Sequence, residues 1–259
     1  MKTVAVIQAR LGSTRLPGKV LFEAGGRTML GLLFERASRA ACLDELVLAT
    51  GEGPENDALA GVVRGLGFPV FRGSEQDVLS RYAGAARERD ADVVVRLTGD
   101  CPLMDPAVID LVAQARERAG ADYATNVKPP TWPDGLDVSV FTRDILEAAH
   151  AEARLPSERE HVVTWMWKHT PLEGGTRYRA VNVPCPEDLS ALRWTVDEAA
   201  DYGLLRAILA ALGPGAAGAG WREVLDLVRT HPELSALNRD IQRDAGLAKS
   251  LAQDKERAQ

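Results

Sequence analysis

Short apolar runs alternate with longer stretches of helical spacing through the first half of the chain. Val4–Ala9, Leu46–Ala49, Pro69–Phe71, Val93–Leu97 and Tyr123–Asn126 read as strands. Met29–Ala40, Asn56–Leu66, Asp77–Arg89 and Pro106–Ala119 read as the helices between them. Apolar runs without polar alternation are buried on both faces, and strands joined through helices pair in parallel. The rhythm predicts an α/β fold: three Rossmann-like layers, with a mostly parallel central sheet between helices.

After residue 127 the rhythm breaks. Lys128-Pro129-Pro130-Thr131-Trp132-Pro133 must be a loop, because proline donates nothing to a ladder. Strands are expected at Asp137–Phe141, Tyr178–Val183 and Arg193–Val196. Helices are expected at Arg143–Ala153, Glu158–Lys168 and Glu198–Leu212. Gly213–Gly220 holds four glycines and reads as a mobile link. The expected organisation is an α/β domain over 1–212, with an irregular subregion at about 127–185, then a glycine-rich link and C-terminal helical extension over 213–259.

Charge narrows the function. The chain has 259 residues, 31 Lys and Arg, 37 Asp and Glu, and a net charge of −6. That argues against a general nucleic-acid binder, whose affinity rests on neutralising phosphates. Residues 1–40 run the other way, with seven basic and two acidic side chains. A basic segment in an acidic chain suggests a local anion site. Cys42, Cys101 and Cys185 form neither a disulfide framework nor a zinc pattern, and a reducing cytoplasm is expected. Neither a membrane-length apolar run nor a signal-peptide layout is seen.

The loop Gln8-Ala9-Arg10-Leu11-Gly12-Ser13-Thr14-Arg15-Leu16-Pro17-Gly18-Lys19 joins the first strand to the first helix. Ligands of open α/β sheets bind at the carboxyl ends of strands. Glycines let backbone approach a phosphate, and Arg10, Arg15 and Lys19 complement its charge. A Walker A loop is excluded, because five residues separate Gly12 from Gly18 and Val20 follows Lys19. No dinucleotide fingerprint follows any strand.

This loop, continued through Val20-Leu21, resembles the N-terminal signature of CTP-using sugar nucleotidyltransferases, the CMP-Kdo and CMP-acylneuraminate synthetase group. It is most similar to the spore-coat polysaccharide cytidylyltransferase-like branch. The resemblance covers nearly the whole chain. It implies a nucleotidyltransferase fold, CTP and Mg2+ as ligands, a sugar or sugar-acid acceptor, and a homodimer formed through the 130–180 region, where Trp165 is expected to be exposed. For the nucleotide it implies Gln8, Ala9, Arg10, Gly12, Ser13, Arg15, Lys19, Asp100, and Arg72 with Ser74 near base and ribose.

Two carboxylates complete that half. Val93–Leu97 ends in Thr98-Gly99-Asp100, which stands Asp100 at the sheet edge where the phosphate loop lies. A carboxylate beside a triphosphate is repulsive unless a cation separates them, which predicts Mg2+. Asp105, before Pro106, is the better helix cap. Asp197 follows Arg193-Trp194-Thr195-Val196 and is the expected second ligand. By the resemblance, Arg10, Lys19, Asp100 and Asp197 are the catalytic set. Glu198 departs from the family's pattern there, where threonine is common.

For the acceptor, Asp134 and Asp137 lie in a Pro-Asp-Gly-Leu-Asp-Val stretch, and Glu160 and His161 in a Glu-Arg-Glu-His-Val stretch. Both resemble acceptor motifs of the spore-coat branch. Asn126, at a strand end, is a further candidate. His161 could deprotonate an attacking hydroxyl, since imidazole titrates near neutrality, or be a hydrogen-bonded structural histidine. Asp77 and Arg81 are spaced as a helical ion pair. Other NTPs, non-sugar acceptors such as a phosphonate or polyol phosphate, and a non-enzymatic sensor remain open on the sequence.

Overall fold

The computed structural model describes residues 1–257; the last two residues of the expected 213–259 extension lie outside them. The chain opens with β1 (Thr3–Gln8), α1 (Met29–Ala37), β2 (Glu45–Gly51), α2 (Asp57–Gly65), β3 (Val70–Gly73), α3 (Val78–Glu88) and β4 (Val93–Thr98). It continues with α4 (Pro106–Ala119), β5 (Tyr123–Thr125), β6 (Ser139–Thr142), α5 (Arg143–Glu152), α6 (Pro156–His161), α7 (Thr164–Lys168) and β7 (Ala180–Asn182). It closes with α8 (Ala199–Leu212), α9 (Trp221–Thr230), α10 (Pro232–Ala236) and α11 (Ala245–Arg257).

One sheet carries the seven strands in the order β3-β2-β1-β4-β6-β5-β7. β1 pairs in parallel with both β2 and β4, and only β6 runs antiparallel. The expected three-layer α/β architecture is therefore present. Ala5, Ile7, Leu48, Val95 and Leu97 meet α1, α2, α4, α8 and α9 on one face of the sheet. Val4, Val6, Val47 and Val94 meet α3, α5 and α7 on the other.

Local chemistry sets the helix ends. The Thr28 hydroxyl accepts from Gly31 N at the start of α1, and Asp77 does the same for Ser80 N of α3. Asp105 caps α4 through Ala107 N and also accepts from Trp221 N at 2.5 Å. One carboxylate thus binds the central helix and the C-terminal segment together.

Three regions differ from the sequence reading. Glu158–Lys168 is not one helix: Val162, at φ 66°, separates α6 from α7. The break lets α7 bury Trp165, Met166 and Trp167 in the second core while α6 ends facing a cavity. Trp165 is consequently 3% exposed, and the expected exposed tryptophan is absent.

Arg193–Val196 is not a strand. Its backbone bonds to loops instead: Trp194 N and Thr195 N donate to Asp134 O, and Val196 N to Asp100 O. Gly135, at φ 109°, permits this contact, since a Cβ there would lie 2.5 Å from Thr195 N.

Gly213–Gly220 is fastened rather than free. Ala216, Ala217 and Ala219 are buried, and Arg36 and Arg39 donate to the carbonyls of Ala216 and Ala217.

Candidate active site

The chain winds outward from β1 through β2 to β3, then returns to place β4 on the other side of β1. The carboxyl ends of β1 and β4 thus flank the point where strand order reverses, the usual ligand crevice of such sheets. The loop after β1 and Asp100 after β4 meet there. Gly99 makes the approach possible: a Cβ at this position would sit 2.7 Å from Ala9 Cβ and 3.0 Å from Gln8 O. Gly18, at φ 71°, turns the loop and aims Lys19 inward.

Lys19 is buried between the two carboxylates that the sequence singled out. Its Nζ donates to Asp197 Oδ1 at 2.6 Å, to Val196 O at 2.7 Å and to Asp100 Oδ2 at 3.3 Å. Burial works against charge on both Lys19 and Asp100. Their attraction overrides it, raising the lysine pKa and lowering that of Asp100. Arg15 adds an ion pair to Asp197 at 2.9 Å.

Two carboxylates converging on one cation form a hard-oxygen donor set that suits Mg2+. Among the described residues no group of three or more His, Cys, Asp or Glu could enclose a metal. A site of this kind leaves further coordination positions to phosphate oxygens or water.

The crevice widens into a cavity of about 730 Å³. Gln8, Ala9, Arg10, Ser13, Arg15, Lys19, Asp100 and Asp197 line one end; Asp134, Asp137, Glu160 and His161 line the other. Arg193 stands at the junction. Its side chain is 6% exposed, and its guanidinium meets Asp134 at 2.6 Å, Asp201 at 3.0 Å and Asp197 at 3.1 Å. Asn238 bonds Arg193 O and Asp201 Oδ1 from behind.

At the far end Arg243 donates to Asp137 at 2.7 Å and to Trp132 O. Burial is the main force raising both the Asp134 and Asp137 pKa values, against the pull of Arg243. Arg96 projects from β4 into the same cavity, and its buried Nε has no partner among the described residues.

Several candidates lie elsewhere. Arg72 donates to the carbonyls of Gly51, Glu52 and Gly53 and to Asp57, so it braces β2 and does not line the cavity. The Ser74 hydroxyl accepts from Asp77 N, ahead of α3, and is also outside the lining. Asn126 is fully buried, binding Leu136 O and Val138 N to shape the turn into β6. Gly12 lies beside Glu75, outside the lining. Asp77 pairs with Arg159 instead of Arg81, whose guanidinium is spent on the Ser74 and Glu75 carbonyls.

Sequence reasoning missed Arg96, Arg193, Arg243 and Ser250. The regular strand pattern around Arg96 hid its cavity-facing position, Arg193 lies in a stretch read for Asp197 alone, and nothing local assigns a role to Arg243 or Ser250.

With this geometry in view, comparison with known proteins identifies the class. The chain matches the cytidylyltransferase family over residues 4–169 and belongs to it. It is 32% identical to the uncharacterized protein MJ1063 of Methanocaldococcus jannaschii, over 93% of this chain and 96% of that one. It is 35% identical to the spore coat polysaccharide biosynthesis protein SpsF of Bacillus subtilis, covering 78% and 84% of the two chains. Among solved structures, a cytidylyltransferase from Leptospira borgpetersenii superposes with a TM-score of 0.84 at 32% identity, covering 91% of this chain and 97% of that one.

Proposed function

We propose that this chain transfers CMP from CTP to a sugar or sugar-acid acceptor, releasing pyrophosphate, in surface polysaccharide or glycoconjugate assembly. The observation that carries the reading is Lys19 held between Asp100 and Asp197 beneath the loop after β1. The names of relatives point the same way: SpsF, and a 3-deoxy-manno-octulosonate cytidylyltransferase of Geobacter metallireducens, 39% identical over 46% of this chain and 48% of that one.

In this reading the triphosphate lies along the loop, where Gln8, Ala9 and Ser13 offer polar contacts. Asp100 and Asp197 would hold Mg2+, which supplies charge neutralisation at the phosphates when bound. Arg10, Arg15 and Lys19 neutralise the departing pyrophosphate. The acceptor oxygen bonds to the α-phosphorus as the bond from that phosphorus to the β-bridging oxygen breaks. The acceptor hydroxyl gives up its proton to water. Positioning and fixed charge carry most of the rate.

Asp134, Asp137, Glu160 and His161 border the space for a polyhydroxylated acceptor. Arg96 supports an acidic one, because a cavity-facing guanidinium whose Nε has no partner among the described residues suits a carboxylate. The three free cysteines suit a cytoplasmic enzyme, and no helix among the described residues is long and apolar enough to cross a membrane. The family resemblance carries a homodimer with this reading.

Pyrophosphate release tests the reading. Each NTP is offered with Mg2+ and a pool of sugar acids, amino sugars and sugar phosphates. Release with CTP alone, lost in Asp100→Ala, is expected. Release with a different NTP, or none despite CTP binding, overturns it.

A further inference from the structure

The cavity's acceptor end is walled by a segment from far along the chain. Gln242, Asp244, Lys249, Ser250 and Gln253, in α11 and the turn before it, line the same space as Glu160 and His161. These residues lie beyond the part of the chain that matches the family, 4–169. α11 is docked on α6, where Asp254 accepts from Ser157 N at 3.2 Å.

Ser250 lies at the centre of this contact, 5% exposed. Its hydroxyl stands 2.8 Å from Glu160 Oε2, 3.2 Å from Gly246 O and 3.0 Å from His161 Nε2. A hydroxyl has one proton to give. The carboxylate and the carbonyl can only accept, and the carboxylate is the nearer. The serine proton therefore goes to Glu160, and the remaining contact requires His161 Nε2 to be the donor.

We infer that Ser250 is a positioning residue that fixes His161 as its Nε2–H tautomer, leaving the Nδ1 lone pair to accept a hydrogen bond from an acceptor hydroxyl. Nδ1 has no protein partner among the described residues, and the ring is 22% exposed on the cavity wall. Burial on the cavity wall favours the neutral ring. Burial lowers its pKa most; Glu160, Asp244 and Asp254 oppose, and Arg96 reinforces burial. A neutral ring with a set tautomer presents one acceptor in one direction, which suits a polyol hydroxyl.

The hydroxyl contact rests on the transferase reading above; the tautomer does not. Long-range 1H–15N spectra of the imidazoles therefore test the two parts separately. Four histidines are present, and His161→Gln identifies the signal of interest. The wild type should show His161 as Nε2–H at pH 7.5. Ser250→Ala should shift it to a mixture of tautomers, and Ser250→Thr, which keeps the hydroxyl, should restore it. With 3-deoxy-manno-octulosonate as the acceptor probe, Ser250→Ala should lower kcat/KM for the acceptor about tenfold with the KM for CTP unchanged.

An Nδ1–H or doubly protonated ring in the wild type overturns the inference. So does an Ser250→Ala variant whose tautomer is unmoved, or one that loses CTP binding along with turnover. A wild type that turns over no acceptor sinks the transferase reading, while the spectra still decide what Ser250 does.

Discussion

The two ends of the cavity are built by different means. At the nucleotide end, Gln8 closes β1 and Asp100 comes two residues after β4, so parallel strands place both groups, Gly99 sets how closely the loops approach, and Asp197 joins them from irregular backbone. At the acceptor end, Asp134, Asp137 and His161 stand on irregular backbone or a helix terminus, held by side chains from far along the sequence. Arg243 reaches Asp137 across 106 positions, and Ser250 reaches His161 across 89. The first end is founded on the sheet, with Asp197 secured through Lys19 and Arg15, and the second rests on side-chain pairs. Substitutions should therefore act on chemistry at the first and on selectivity at the second.

Arg193 is the sharpest test of that division, because it joins the ends. Arg193→Met strands Asp134, Asp197 and Asp201 without their shared counter-charge, at a cost to folding stability of about 3–5 kcal/mol. Urea denaturation reads this directly. A loss under 1 kcal/mol, an order-of-magnitude threshold, would show that the two ends are not energetically joined.

Within the nucleotide end, Asp100→Ala or Asp197→Ala should each cut turnover at least ~100-fold, about 3 kcal/mol of transition-state stabilisation. Near-normal rates in either variant would remove the paired carboxylates from the mechanism. At the acceptor end, Arg96→Gln should raise the KM for an acidic acceptor about tenfold, roughly 1.4 kcal/mol, and leave that for CTP alone. Equal effects on both substrates would erase the distinction between the ends.

Titration separates them by sign. Asp100 has a depressed pKa, so its contribution to stability is present above the ordinary carboxylate range and fades only in strong acid. Asp137 has a raised pKa, so its contribution declines as pH rises from that range toward neutrality. Stability of the wild type relative to Asp137→Asn should accordingly fall between about pH 4 and 7. A flat difference would contradict the assigned environment. The smallest effect concerns Mg2+ alone, which should raise Tm by under about 1 °C, whereas Mg2+ with CTP should raise it by several degrees.

The same contrast explains what the sequence reveals. The first loop and the Thr98-Gly99-Asp100 stretch are contiguous and follow apolar strands, so residue type and fold position coincide. Arg72, Ser74 and Asn126 also stand near strand ends, but nearby backbone groups absorb them, and such local competition is invisible in a one-dimensional pattern. Arg193–Val196 has strand composition, yet loops capture its backbone. Arg243 and Ser250 acquire meaning only when α11 folds back over α6.

The seat of Lys19 has one more consequence. An ammonium group tethered between Asp100 and Asp197 is a resident counter-ion, present at an effective concentration that free Mg2+ cannot match at ordinary levels. A metal arriving by itself must evict the lysine and leave its charge unmatched in a largely buried place. A metal arriving with a triphosphate brings oxygens to which the displaced lysine can turn. In the proposed transferase the two guests would therefore depend on each other, and a lone ion would find the seat taken.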